Sequence, residues 1–287
     1  MTGSEVPALA FVAKVVVASV AGGVLGSIAG VGGGVVIVPV LTIFLGMDIR
    51  YAIGASIVSV IATSSGAGSV YVRDRITNVR IAMFLEVATA LGAIIGAALL
   101  APHVPAGALA ALFGFTLLVS LIPVFKKFGE ELPVGVVDDA MARRLRLDGS
   151  YYDKRLGREV SYNVTGIPAA SGYMFTAGII SGLLGIGAGV LKVLAHEIAM
   201  KVPTKVSTAT SNFMIGVTAA AAAGVYLHRG LVLPFVVVPV ATGVLLGAFF
   251  GTRLMERMSN DSVRRVFSVA LAAIGLRMLV RSSGILG

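Results

Sequence analysis

The sequence predicts an all-α fold: a polytopic transmembrane helical bundle of two inverted-topology repeats, with glycine-broken helices near the midplane. Three observations carry this reading. Hydrophobic residues make up 57% of the 287 and charged residues 13%, with a mean hydropathy of +0.96, whereas a soluble domain carries about 25% charged residues. Apolar runs approach the roughly 20 residues that cross a bilayer core as helix. The cluster Gly30-Val31-Gly32-Gly33-Gly34-Val35 recurs 155 residues later as Gly185-Ile186-Gly187-Ala188-Gly189-Val190, inside otherwise apolar sequence.

Taken in order, Val6 to Ala29 is long enough to span, and lacks the basic start and small-residue cleavage site of a signal peptide, so it reads as a retained helix. Lys14 within it reads as a side chain reaching for the interface. Val35 to Leu45, after the first glycine cluster, is too short to cross and reads as a half-helix or a strongly embedded hairpin arm. Further apolar runs occupy 51–70, 79–101, 105–125, 168–187, 205–227, 231–252 and 262–280. A β-barrel would show alternating segments of about 10 residues, and the sequence has none.

Residues 126–166 interrupt the apolar pattern with Lys126, Lys127, Arg143, Arg144, Arg146, Lys154, Arg155 and Arg158 among several acids. This stretch reads as a cytoplasmic charged linker between a first transmembrane repeat (1–125) and a second, inverted one (167–287). Asp148-Gly149 and Gly157 each lie between candidate strands and predict short hairpins. A lid or regulatory role is the alternative to a passive connection. The two repeats then align without a gap, through Gly23/Gly178, Ser56/Ser211, Thr63/Thr218, Tyr71/Tyr226, Gly92/Gly247 and Gly96/Gly251, the internal symmetry expected of transporters.

Each repeat has three full spans besides its broken hairpin, so the number of crossings is odd and the second repeat must be inverted. Charge agrees with this parity. With both termini outside, the cytoplasmic loops receive Arg73, Arg75, Arg80, the linker, Lys201, Lys205, Arg253, Arg257, Arg264 and Arg265, leaving Arg50, Arg229 and Arg281 outside. The net charge of +9 therefore reads as topology, with no nucleic-acid partner. The expected location is the plasma membrane, in contact with lipid, and the oligomeric state is left open, a homodimer included.

A helix restarted after a glycine break presents unpaired N–H groups and the positive end of its dipole. Two such ends meeting at the midplane would bind a small anion through the backbone of Gly32, Gly33, Gly34, Val35, Gly187, Ala188, Gly189 and Val190, with close helix packing through small residues as the alternative. Ser56, Thr63, Ser211, Asn212 and Thr218 would add hydroxyl or amide donors. Each hydroxyl could instead bond its own helix carbonyl. Glu86, two turns into its span, is costly unless it faces the bundle interior. Lys192, His196 and Glu197 follow the second glycine cluster, either adding charge and proton exchange to the site or forming an ion pair at the outer interface. Glu86 and the His196/Glu197 pair are the candidates for proton coupling.

With no cysteine and three histidines, the chain offers no thiolate chemistry, no metal-ligand spacing and no cofactor motif. That argues against an enzyme, and the scarcity of intramembrane carboxylates argues against a cation exporter.

The run Thr208-Ala209-Thr210-Ser211-Asn212-Phe213-Met214-Ile215-Gly216-Val217-Thr218 resembles the sulfite exporter TauE/SafE family. So do Gly30 to Pro39, Gly54-Ala55-Ser56, Tyr71-Val72-Arg73 and Leu85-Glu86. The resemblance covers about residues 20–125 and 175–280. It implies secondary export of a small oxyanion, sulfite or an organosulfonate such as sulfoacetate, with a channel or the export of another small organic anion as alternatives. Lys192 departs from the apolar residue expected after the second cluster, and Leu194 stands where the first repeat has Pro39.

Overall fold

The computed structural model describes residues 5–29, 33–121, 133, 135–137, 139–153, 156–256 and 260–282. Gly30, Val31 and Gly32 lie outside these, as do Lys126, Lys127, Lys154, Arg155 and Arg257. The elements are α1 (Glu5–Ala29), α2 (Gly34–Pro39), α3 (Ile49–Arg73), α4 (Val79–Ile95), α5 (Ala106–Val119), α6 (Ala140–Leu145), β1 (Gly149–Asp153), β2 (Arg158–Tyr162), α7 (Ile167–Leu184), α8 (Gly189–Leu194), α9 (Thr204–His228), α10 (Pro234–Glu256) and α11 (Asn260–Ser282).

The 155-residue register is visible in the helix starts. Shifted by that amount, α2 becomes α8, α3 becomes α9 and the start of α4 becomes the start of α10. Each half-helix also widens into a π-turn at an equivalent place, Val40–Phe44 after α2 and Ala195–Ala199 after α8. Pro39 precedes one π-turn and Leu194 the other, so the missing proline N–H is not what widens the helix.

Five helical stretches among the described residues are long and apolar enough to cross a membrane: Ile49–Arg73, Val79–Leu100, Ile167–Leu184, Thr204–His228 and Pro234–Gly251. Ala10–Leu25, Gly34–Phe44 and Ala106–Val119 are shorter apolar helices. The protein is an all-α, multi-pass membrane bundle.

The halves interlock. α1 packs along α10, α4 along α7, α3 along α9 and α5 along α11. Glycine sets the first two contacts. A Cβ at Gly178 would run into the carbonyl of Thr89, and one at Gly23 into that of Val244; Gly92 meets Phe175 O and Gly247 meets Val20 O. Each of these two pairs of contacts repeats at the same offset, so both halves bring their backbones together by the same device.

Helices α3 and α9 run antiparallel: Gly54 near the start of α3 approaches Leu231 beyond the end of α9, while Gly68 approaches Phe213. One end of the bundle gathers Arg73 to Arg80, the linker and Lys201 to Lys205. There Asn78 Nδ2 donates to Leu147 O and Tyr162 Oη at 2.9 and 2.8 Å, and Lys205 pairs with Asp153 at 2.7 Å. At the other end Arg50 donates to Val104 O at 3.1 Å, Arg229 to Ala97 O at 2.9 Å, and Arg281 to Thr42 O. Thr42 lies in the π-turn Val40–Phe44 and Ala97 in a further one, Gly96–Leu100, that continues α4, so two of these guanidiniums serve carbonyls at the widened turns.

The linker differs from the expected pair of hairpins. Leu145-Arg146-Leu147 is not a strand: Asp139 caps α6 by accepting from Ala142 N at 2.7 Å, and Arg146 ends it in the left-handed region at φ 50°. That backbone bond holds the Asp139 carboxyl below its usual range. Asp148-Gly149 then leads straight into β1, whose single antiparallel hairpin with β2 pairs Gly149 with Tyr162. Leu147, Tyr151 and Val164 are buried with Ile81, Leu85 and Met174 of α4 and α7, so the element is docked on the bundle. Burial there pushes the Tyr162 hydroxyl up to about 12.

Gly178→Val should disrupt the α4/α7 contact at a cost of about 3 kcal/mol or more. Gly172→Ala, in the same helix with nothing within 4 Å of the added carbon, should be neutral or stabilising. Thermal unfolding of the detergent-solubilised variants measures the difference.

Candidate functional site

The two glycine breaks meet. Ser56, fully buried on α3, donates to Gly185 O at 2.8 Å and lies 3.2 Å from Gly34 O, so one hydroxyl ties both interruptions together. A Cβ on Gly34 would collide with Ser56 and Val60, and one on Gly187 or Gly189 with Ile215. Val35 and Ala188 are buried in the same contact. Close approach of backbone is thus one reason for glycine here. The breaks are not identical: Gly33 keeps a right-handed conformation at φ −61°, whereas Gly185, Gly187 and Ala188 are left-handed at 66°, 68° and 48°.

Just past the second break lies a buried pair of ionisable side chains. Lys192 on α8 is 0% exposed, and its ammonium donates to Thr218 of α9 and stands 3.8 Å from Glu86 Oε2 of α4. Thr218 Oγ1 lies 2.5 Å from Glu86 Oε1 and 2.9 Å from Met214 O. Three helices therefore deliver one cation, one hydroxyl and one carboxylate to a single place. Lysine and glutamate removed from water are held only by such pairing. Lys192 is thus enclosed by protein and paired with Glu86.

One turn on, His196 is 0% exposed and neither ring nitrogen makes a hydrogen bond of ordinary geometry, although the Ser207 backbone faces it. Glu197 is 8% exposed with Oε1 unpartnered. The Ser211 hydroxyl is buried and makes no hydrogen bond. Asn212 donates to Thr208 O at 3.0 Å, and Thr63 to Ser59 O at 2.9 Å, each within its own helix.

The charged cluster has no counterpart in the other half. At the offset of 155, Glu86, Lys192 and His196 correspond to Ala241, Ile37 and Leu41, and only Thr63 repeats its mate Thr218. Ile37 and Leu41 are fully buried in the apolar core. Among the described residues of the helices, the buried charged side chains and the buried histidine lie on α4, on α8 and in the π-turn after it.

Two crevices indent the bundle away from this cluster. One of about 700 Å³ runs between α3 and α9 from Arg73 past Ser69 and Ser64 to Gly216 and Val217. Another of about 380 Å³ lies at the opposite end, against Asp48 and Arg281. Neither includes Glu86, Lys192 or Thr218, so the cluster is closed to both. Among the described residues no group of three or more His, Asp or Glu is placed to hold a metal ion.

Sequence reasoning named Glu86, Lys192 and Thr218 separately but did not bring them together, and it did not single out Asn78, which links α4 to the linker and whose N–H donates to Thr210 at 3.1 Å. No sequence period connects residues so far apart in the chain.

A multi-pass bundle with interlocked halves and a buried charge cluster beside a broken helix has the build of a membrane transporter. The family model described as Sulfite exporter TauE/SafE matches residues 15–278, and the chain belongs to that family. It is 26% identical over 282 residues to the "Probable membrane transporter protein YunE" of Bacillus subtilis (strain 168), covering 94% of this chain and 98% of that protein. No solved structure matches. Family membership makes the protein a transporter of small anions.

Thr218→Val should lower stability by about 2 kcal/mol, because it leaves a charged pair without its bridging hydroxyl. Thr63→Val, which removes only a bond within one helix, should cost far less. Paired thermal melts of the two variants test this.

Proposed function

We infer that the protein exports a small oxyanion, sulfite or an organosulfonate such as sulfoacetate, across the plasma membrane by alternating access. The observation that carries this reading is Lys192: a fully buried ammonium three residues after a glycine break, in a member of an anion-exporter family. A cation there attracts an anion and repels other cations. The donors for the substrate are Lys192, Thr218 and the unengaged Ser211, with the backbone of Gly33 to Val35 and Gly187 to Val190 forming the crossing that separates the two sides. Ser56, Thr63 and Asn212 spend their hydrogen bonds inside the protein in this closed arrangement and become ligands only when the breaks part.

Two features support inverted repeats, 1–125 and 167–287, as the moving parts. Equivalent helices α3 and α9 run antiparallel, and the half-helices after the two breaks lead to opposite ends of the bundle, toward Asp48 and toward Met200. The lysine- and arginine-rich end, with the linker 126–166, is the cytoplasmic one and both termini are outside. Exposed apolar side chains such as Met83, Val87, Leu91 and Ile94 along α4 form the lipid-facing surface.

Reconstituted into liposomes, the protein should exchange labelled sulfite for unlabelled sulfite in saturable counterflow, and Lys192→Met should abolish it. Flux that unlabelled sulfite on the far side does not stimulate would instead mark a channel. Orientation is testable because the chain has no cysteine. A single cysteine replacing His103 should react with an impermeant maleimide in intact cells, and one replacing Arg144 only after permeabilisation; the reverse pattern would invert the assignment.

A further inference from the structure

Building on the anion-export reading, we propose that Lys192 and Thr218 are the substrate's seat, that Glu86 occupies this seat as an internal substitute for the substrate in the closed state, and that Glu86 vacates it by taking up a proton. The two donors that an incoming oxyanion would need, the Lys192 ammonium and the Thr218 hydroxyl, are the two that the Glu86 carboxylate now has within reach. A carboxylate and a sulfur oxyanion present the same chemistry to such donors: negatively charged oxygens that accept charge-assisted hydrogen bonds.

The seat is not a symmetric consequence of the fold, because its equivalent in the other half is Ala241, Ile37 and Thr63, with no charge to hold. Glu86 is also incompletely satisfied where it stands: Oε2 lies 3.8 Å from the ammonium and makes no hydrogen bond, so it is a replaceable occupant.

Charge balance fixes the stoichiometry. The closed cluster contains one ammonium and one carboxylate. An oxyanion added beside an ionised Glu86 would leave two negative charges on one positive charge away from water, which is strongly unfavourable. With the proton on Glu86, the ammonium and the oxyanion pair and the carboxylic acid is neutral. One proton is therefore bound with each monovalent anion, and in the empty carrier Glu86 releases it and returns to Lys192.

The other titratable groups around Glu86 are few among the described residues. The segment after α8 carries His196 and Glu197. α9 carries Lys205, paired with Asp153 at the end of the bundle, and His228 and Tyr226 beyond the other side of the cluster. α7 carries only Tyr173, which is exposed. None of these touches both Lys192 and Thr218.

The test is thermal stabilisation of the purified full chain by sulfite, methanesulfonate and sulfoacetate at a series of pH values. Methanesulfonate is the decisive probe because its own charge does not change. Wild-type affinity for it should fall by up to about tenfold per pH unit as pH rises, the slope of one linked proton. Glu86→Gln should bind at least tenfold more tightly at neutral pH and lose the slope, Glu86→Gln/Lys192→Met should not bind, and His196→Asn should keep the wild-type slope.

A Glu86→Gln protein with wild-type affinity and slope would overturn the proposal, as would a slope lost in His196→Asn instead, or failure of all three anions to stabilise Glu86→Gln. If Glu86→Gln does not fold, the wild type decides alone, a flat methanesulfonate profile being negative. Persistent sulfite counterflow in wild type with any of these negative results would leave the export function standing. Absent counterflow would remove that function as well.

Discussion

A helix interrupted inside hydrocarbon leaves backbone N–H and C=O groups that no water can satisfy. This protein interrupts two, and the rest of its arrangement follows from how the interruptions are buried. They are placed against each other, with Gly34 close to Gly185 and the Ser56 hydroxyl reaching both carbonyls. For the breaks to meet, each must be brought inward by the long helix that precedes it, and α1 and α7 are drawn tightly onto α10 and α4 by glycines that admit a neighbouring carbonyl. The small residues along these helices thus position the crossing as well as pack it.

A pseudo-symmetric frame of this kind provides two equivalent lobes, and the sequence uses them differently. One is filled with Ile37 and Leu41 and behaves as core; the other holds Glu86, Lys192 and His196. Concentrating charge in one lobe limits the desolvation cost to a single compensated pair. The charged linker is docked over the end of that same polar lobe, through Asn78, Tyr162 and the Asp153–Lys205 pair.

Much of the architecture was legible in the chain alone. The gapless 155-residue register anticipated helix starts that repeat residue for residue, and the shortness of Val35 to Leu45 anticipated an element too short to cross, found as the helix Gly34–Pro39 and the π-turn Val40–Phe44. These are local or periodic properties, set by apolar length and by where glycine stands, and they survive any tertiary context in a membrane. The linker was less legible. Leu145-Arg146-Leu147 alternates like a strand, but an aspartate cap three residues from a backbone N–H makes a helical turn cheaper.

The glycine clusters were readable in the sequence as paired interruptions needing a common burial, and Lys192 as a charge that had to be accounted for. Which partner accounts for it was not readable. Glu86 and Thr218 come from helices distant in sequence, and only the packing of α4, α8 and α9 puts a carboxylate and a hydroxyl beside that ammonium. Pairing of buried charge is decided at distances of a few ångströms between separate helices, and sequence periodicity describes one helix at a time.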